Sequence, residues 1–392
     1  MKILFMHTFY RDRGGEEVLV ETEMALLEEA GFEVELLAFR NPTNFLDTIF
    51  SLLLLPFNLL SFFKTINKIS SFRPDVVHLH NWHFAASPSV VVACHLLKVP
   101  IVLSLHNFRL ICPSATLFYK GEIFLESLKQ HFPWKATMLR VYRNSRLQTF
   151  LLAFTIYLHK KLRTWQNVGV FVVNSEFEKN TFLQSTLGIT EDKLFIKANS
   201  LPEPVIDAGI TRKDHFLFIG RLVPEKGIEV LLEAFANTEL SLLLYGYGPL
   251  EQKVRAFAEQ HPNIQFKGSL PHEQMSDELR SCTALIFPST WFEGMPMTLL
   301  HAFSTGTPVI ASDIGAMSTM VINQHNGLHF AVGNSQDLAQ KLAYWVALPE
   351  PEKEAYRLRS RQSYESSYTP QANLKSLKSI YWAVKTNEYA EN

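Results

Sequence analysis

Cysteine is almost absent from the 392-residue chain: Cys94, Cys112 and Cys282 are the only three, with no Cys-x-x-Cys spacing. An odd, sparse set of thiols supports neither a disulfide framework nor a thiolate zinc site and points to a reducing, cytoplasmic compartment. Net charge is also lacking. Lys plus Arg number 37 and Asp plus Glu 38, so bulk electrostatics gives no footing for a nucleic-acid partner. Charged residues make up 19% and hydrophobic ones 47%, which is far from the composition of a disordered chain. No basic stretch followed by a small-residue cleavage site precedes the first apolar run, so no secretory signal is expected and the mature chain is expected to start at Met1. Long hydrophobic runs are missing too. The longest, Thr48 to Phe63, is closed by Asp47 and Lys64 and interrupted by Pro56, too short for the roughly 20 apolar residues of a spanning helix. It reads either as a half-buried helical hairpin or as a membrane-interface or lipid-acceptor surface.

What is present is a repeated alternation of short apolar strands and helical stretches. Residues 2–9, 32–39, 75–81, 100–107, 168–175 and 193–200 read as strands of one parallel sheet covered by helices. The Pro-spaced joint 201–209 interrupts the pattern, which restarts at 215–222, 240–248, 263–270, 284–290 and 308–315. The chain is therefore expected to be α/β, with two tandem Rossmann-like doubly wound domains and an interdomain cleft beyond the carboxyl ends of the strands. The division placed from this pattern is 1–205, 206–370 and a final helix over 371–392.

The halves differ in charge. Residues 1–200 carry 21 basic and 17 acidic side chains, leaving 37 − 21 = 16 basic and 38 − 17 = 21 acidic for the remainder. Nine basic residues fall within 120–165, a run that would suit an anionic membrane surface.

Several residues at strand ends are candidates for chemistry. Gly14 and Gly15 lie in the first strand-to-helix loop, where glycine lets a backbone approach a phosphate but equally makes a tight turn. His106, after the fourth strand, is placed at a cleft edge; it is either a sugar or diphosphate contact or a structural histidine. His78, His80 and His83 are given no catalytic part. Gly220, Arg221 and Lys226 join a strand end to a helix start, an arrangement able to neutralise a leaving diphosphate without a metal. Gly248 and Phe266 are candidate walls of a nucleotide pocket. Pro296 suits the first position of a helix whose free N–H groups at Met297, Thr298 and Leu299 would meet a diphosphate, with Glu293 in the preceding loop.

In this order and spacing, Gly14-Gly15, residues 105–113, 220–235, 245–249, 293–315 and 326–330 resemble the GT-B-fold, nucleotide-sugar-dependent glycosyltransferases of family 4, the group 1 type. The resemblance covers nearly the whole chain. It implies a C-terminal domain that binds a nucleotide sugar, most readily a UDP- or GDP-sugar, an N-terminal domain that binds the acceptor, and a last helix that returns to the N-terminal domain. It further implies retaining, metal-independent transfer to a saccharide or lipid-linked saccharide in cell-surface or exopolysaccharide biosynthesis, with no cofactor. Arg221 and Lys226 resemble the diphosphate grip, His106 the residue near the transferred sugar, Gly15 the backbone donor beneath the phosphate, and Glu293 the first Glu of the family's paired-Glu motif. The chain departs from that motif at His301, where the second Glu is expected, and at Met317-Ser318-Thr319, where a Pro-Glu pair is expected. His301 therefore motivates an alternative: a catalytically impaired GT-B protein that binds nucleotide or glycan. A third reading, a nucleotide-sugar epimerase, would need paired acid and base groups around the sugar, and no such pair is evident. A peripheral position at the inner membrane face, through 48–63 and 120–165, completes the expectation.

Overall fold

The computed structural model describes residues 1–10, 14–41, 50–207 and 209–386. Residues 48–49 of the apolar run and everything after 386 thus lie outside the described residues. The chain divides into two compact units: Met1–Tyr119 with Ile123–Lys197 and the residues from Leu374 on, and Lys120–Glu122 with Ala198–Asn373. The joint 201–209 therefore belongs to the second unit.

The first unit is built on a parallel sheet in the order β2-β1-β3-β4-β7-β8. Its strands are β1 Lys2–Phe9, β2 Glu33–Arg40, β3 Val76–Asn81, β4 Ile101–Ser104, β7 Val170–Val173 and β8 Leu194–Ile196. A two-residue ladder, β5 Phe118–Tyr119 with β6 Glu122–Ile123, lies between them in sequence. Val76–Asn81, Ile101–Ser104 and Val170–Val173 are buried along their whole length, which is why they read as continuous apolar runs rather than alternating ones. The helix Pro370–Lys385 places Leu377, Ile380, Tyr381 and Val384 into the same core as Ile3, Phe5 and Val76.

The second unit repeats the scheme with the order β11-β10-β9-β12-β13-β14, all pairs parallel. These strands are β9 His215–Ile219, β10 Ser241–Tyr245, β11 Ile264–Gly268, β12 Ala284–Phe287, β13 Val309–Ser312 and β14 Gly327–Phe330. β14 was not among the expected strands; four residues opening on a glycine give no usable periodicity. The two faces of this sheet carry separate cores, one around Phe235, Leu342 and Trp345 and one around Leu299, Phe303 and Met317. Both units are therefore doubly wound α/β domains, as the strand pattern led one to expect.

Each strand order reverses at one point: between β1 and β3 in the first unit and between β9 and β12 in the second. Loops leaving adjacent strands there run to opposite faces, so a crevice opens beyond the carboxyl ends. The loops at these two points contain Gly14, Gly220, Arg221, Lys226 and Glu293 of the residues singled out from sequence.

Candidate functional site

In the second unit the reversal point is formed by the loop after β9, residues 220–227, and the loop after β12, residues 288–296. Gly227 adopts φ +68° and lies against Pro288, where an added Cβ would sit 1.9 Å from the Pro288 carbonyl oxygen. The position demands glycine, and the resulting contact clamps the two loops together. Thr290 N donates to the Glu225 carbonyl at 2.9 Å across the same seam. Lys226, one residue before that glycine, thereby reaches the other loop: its Nζ donates to Glu293 Oε1 at 2.6 Å and lies 5.1 Å from the Phe287 ring centroid.

The same Glu293 oxygen accepts from Ser289 Oγ at 2.8 Å and from Trp291 Nε1 at 2.6 Å. Its backbone is also held, since the Glu293 carbonyl accepts from Ala316 N at 3.2 Å. One carboxylate is thus fixed by an ammonium, a hydroxyl and an indole, all converging on a single oxygen. Sequence reasoning missed Ser289 and Trp291 as partners of Glu293, although both stand in the same strand-end segment. Arg221 behaves differently from Lys226: it is exposed and makes no ion pair among the described residues. The two cations expected to act as a pair are therefore in different states, one committed to Glu293 and one open to solvent.

The helix Met297–Ser304 begins directly after this loop. Pro296 occupies the cap rather than the first helical position, and Leu299 N already donates to the Pro296 carbonyl at 3.0 Å. Of the three N–H groups expected to meet a ligand, those of Met297 and Thr298 have no backbone acceptor among the described residues, as first-turn groups of a helix do not. His301, one turn on, sits with its ring 5.6 Å from that of His272 in edge-to-face contact. Burial, with His272 adding to it, pushes its pKa down to about 4, so it is a neutral imidazole.

Gly220 and Gly248 belong to a seam between the loops after β9 and β10: Leu222 N donates to the Tyr247 carbonyl at 2.8 Å, and a Cβ at Gly246 would stand 2.0 Å from the Gly220 oxygen. Close backbone packing accounts for Gly246 and Gly248, whereas a Cβ at Gly220 would meet the Phe218 ring at 3.1 Å. Phe266 packs against the helix-side core, with the Arg255 guanidinium 4.7 Å from its ring centroid.

In the first unit Gly14 caps the helix Gly15–Glu29, and Glu17 closes the loop by accepting from Gly14 N at 2.8 Å and Tyr10 N at 3.0 Å. Nothing lies within 4 Å of where a Cβ on Gly15 would be, so its backbone faces open space. His106 lies beyond the end of β4. Its Nε2 shares a hydrogen bond of 3.0 Å with His80 Nδ1, and the two rings stack at 5.3 Å. Burial pushes its pKa down to about 4.

Behind it is a buried polar array that no local sequence signal announces. Lys197 donates to Glu23, 174 residues away, and both are buried. His78 bonds Tyr381 Oη at 2.7 Å through Nδ1 and Ser104 Oγ at 2.8 Å through Nε2. Burial holds His78 and His80 well below the usual imidazole range, while Lys197 is the main opposing influence that keeps the Glu23 carboxylate low. Glu23, His78 and His80 bring potential ligand atoms within 4.8 Å of one another. Both His78 nitrogens are already engaged, however, and Lys197 holds one Glu23 oxygen, which leaves only Glu23 Oε2 and His80 Nε2 without partners, so as arranged the set does not offer a cation three free ligands.

The apolar run places Leu52 and Leu55 in the core but leaves Phe50, Leu53, Leu59, Leu60 and Phe63 exposed. His159 Nε2 meets the Pro56 carbonyl at 2.6 Å, which seats the run against the helix Arg146–Lys161 of the basic stretch. No helix of the described residues is long and apolar enough to cross a membrane.

Known proteins resemble the chain along most of its length. The model of the family described as Glycosyl transferases group 1 matches residues 207–362, and that of Glycosyltransferase Family 4 matches residues 13–199. The sulfoquinovosyl transferase SQD2 of Arabidopsis thaliana is 25% identical over 346 residues, covering 85% of this chain and 61% of that protein. The O-antigen chain mannosyltransferase C of Escherichia coli is 30% identical over 172 residues, 42% of this chain and 46% of that protein. The matched stretches span about a third to three fifths of the curated relatives' own lengths. Among solved structures, Anabaena HepE in complex with UDP aligns with a TM-score of 0.68 at 15% identity, covering 97% of this chain and 99% of that one.

Proposed function

Since the chain belongs to the family 4, group 1 glycosyltransferases and has their GT-B fold, we propose that it moves a sugar from a nucleotide diphosphate donor to a saccharide or lipid-linked saccharide acceptor in polysaccharide biosynthesis. The observation that carries this reading is the Lys226–Glu293 pair at the reversal point of the second sheet, beside the start of the helix at Met297. A nucleoside diphosphate seated there would meet a cation that can leave its carboxylate partner, a second cation in Arg221, and the first-turn N–H groups of Met297 and Thr298.

In the proposed reaction the acceptor hydroxyl oxygen attacks the anomeric carbon on the face the leaving group vacates. The bond from that carbon to the diphosphate oxygen breaks, and the acceptor's proton passes to the departing diphosphate. The products are a glycoside of retained configuration and a nucleoside diphosphate. Lys226, Arg221 and the helix start supply the positive charge that stabilises the leaving group, so no divalent cation is required in this scheme. Glu293 then serves the sugar: once Lys226 turns to phosphate, its carboxylate is available to hydroxyl donors. His106, neutral and partly exposed, can offer its second nitrogen to the transferred sugar. The UDP named with HepE supports a UDP-sugar as donor, with a GDP-sugar as the other candidate. The exposed apolar residues 50–63 and the neighbouring basic helix support a peripheral position of a cytoplasmic enzyme at the inner membrane face.

The test is a thermal-stability titration of the chain with UDP, GDP and ADP and with UDP-glucose, UDP-N-acetylglucosamine, UDP-galactose and GDP-mannose, repeated with EDTA. A selective stabilisation lost in Arg221→Ala supports the reading and names the donor. Absence of any nucleotide response would turn the reading toward a protein impaired at His301, and a stabilisation by nucleotide sugar that disappears in EDTA would refute the metal-free scheme.

A further inference from the structure

A second charged site lies in the first unit, beyond β3 and β4, and none of the roles assigned above uses it. Three loops meet at the ring of Tyr142. The Arg109 guanidinium carbon lies 5.4 Å from its centroid and that of Arg143 5.3 Å, while Arg143 is also 5.4 Å from the ring of Phe84. Arg109 Nη1 is 3.1 Å from His83 Nε2, and the Tyr142 hydroxyl is 3.2 Å from the same nitrogen. A guanidinium only donates, so His83 Nε2 is the acceptor and its proton resides on Nδ1. His83 is thus a buried, neutral post that orients Arg109 and Tyr142 together.

Both guanidiniums lack a negative partner. Neither makes an ion pair with a carboxylate within 4 Å among the described residues; their contacts are aromatic rings, an imidazole and a hydroxyl. The carboxyl that feels Arg109, Glu16, accepts from the Tyr10 hydroxyl at 3.1 Å, and burial pushes its pKa up to about 8, so it carries little charge at neutral pH. The backbone adds an independent mark. Phe84, Arg143 and Asn144 all have left-handed φ, at 63°, 50° and 51°, which non-glycine residues rarely adopt. Two arginines packed against the same tyrosine ring without a carboxylate partner, on loops kept in costly conformations, are an arrangement that an anion would complete.

We propose that Arg109 and Arg143, spaced by the Tyr142 ring and anchored by His83, form an acceptor-side subsite for a phosphoryl group. A dianionic phosphate ester or a diphosphate matches two guanidinium forks better than a single carboxylate does. The assignment to the acceptor rests on the transferase reading; the binding of phosphate itself does not. The phosphoryl group is borne either by a soluble saccharide or by a lipid.

The experiment is calorimetric titration of the full chain with inorganic pyrophosphate and with glucose 1-phosphate, alongside sedimentation with phosphatidylcholine vesicles made with or without phosphatidic acid. Arg143 is exposed, so Arg143→Met should fold; Arg109→Met is backed by Arg109→Lys, which keeps the charge and loses the fork. Binding is expected to weaken about tenfold or more for each arginine removed, and to keep this component in Arg221→Ala and in Lys129→Met, the latter an exposed cation of the same basic run 120–165. A response to the soluble ligands alone puts the phosphate on a saccharide, and a response to the acidic vesicles alone puts it on a lipid. Binding that survives in Arg143→Met and Arg109→Met but is lost in Arg221→Ala would overturn the proposal, as would no binding in either arm. Pyrophosphate requires neither donor nor turnover, so failure here leaves nucleotide stabilisation of the second unit standing, and failure there leaves this result standing.

Discussion

If Lys226 and Glu293 neutralise each other before donor binds, the two residues must be energetically coupled, and a double-mutant cycle measures the coupling directly. At 2.6 Å and an effective dielectric near 20 the gross attraction is roughly 6 kcal/mol. Desolvation takes back most of it. The side chains are 16% and 12% exposed, between the surface case, worth at most about 1 kcal/mol, and the fully buried case, where breaking a pair costs about 3–5 kcal/mol. The expected coupling between Lys226→Met and Glu293→Gln is therefore about 1–3 kcal/mol. Lys226→Met should be the more costly single change, because Glu293 keeps Ser289 and Trp291 but loses the one cation paired with it among the described residues. Glu293→Gln should cost less and should also free Lys226 for phosphate. Its second signature is then an affinity for bare nucleoside diphosphate raised several-fold, roughly 1 kcal/mol, together with loss of the preference for the sugar-bearing nucleotide.

The assay is urea unfolding of the full chain for the wild type, both single variants and the double variant, with nucleotide titrations of the same four proteins. Single effects that add to within about 0.5 kcal/mol would show that the pair has no energetic content and would refute the reasoning. A Glu293→Gln variant that binds nucleoside diphosphate more weakly than wild type would refute the second half alone.

Three further outcomes are expected. Gly227→Ala places a Cβ 1.9 Å from the Pro288 oxygen at φ +68°, so it should cost about 3 kcal/mol or more, read as a fall in melting temperature, and a change under about 1 kcal/mol would contradict the seam described here. Tyr381→Phe strips His78 Nδ1 of its 2.7 Å partner inside the core and should cost about 1–3 kcal/mol in thermal unfolding; an unchanged midpoint would mean that the array does not hold the last helix. His106 has its folded pKa depressed by burial to about 4 from an ordinary 6.5, so its stabilisation is complete above about pH 6.5 and lost as pH falls toward 4. Glu178, raised by burial to about 7, and Glu16, raised to about 8, act with the opposite sign, losing stabilisation as pH rises toward those values, so the measurement is the difference in melting temperature between wild type and His106→Gln across pH 4–8. That difference should narrow below pH 6, and a pH-independent difference would show that burial does not shift His106 between the folded and unfolded chain.

The strand skeleton was largely legible because parallel strands are buried on both faces and therefore appear as unbroken apolar runs, as in residues 2–9 and 75–81. The positions of Lys226 and Glu293 were legible for a related reason: a polar residue that ends such a run lies where the crevice opens. What could not be read was pairing. Arg221 and Lys226 are similar in sequence as cations five apart, yet one is exposed and the other is bound to a carboxylate 67 residues on, because only Lys226 precedes the glycine that seats its loop on Pro288. The bond between Glu23 and Lys197, 174 residues apart, leaves no periodicity at all, and its consequence reaches the site, since those charges and the stacked His80 surround His106. Burial alone would give a mere core histidine. His106 differs because β4 stops at Ser104, which carries the ring past the sheet edge with one nitrogen tied to His80 and the other still available. Of the two readings of that residue left open by its sequence, the structure shows how it is held, as a structural histidine is; under the proposed transferase reading that same fixation would keep its remaining nitrogen neutral for a sugar hydroxyl.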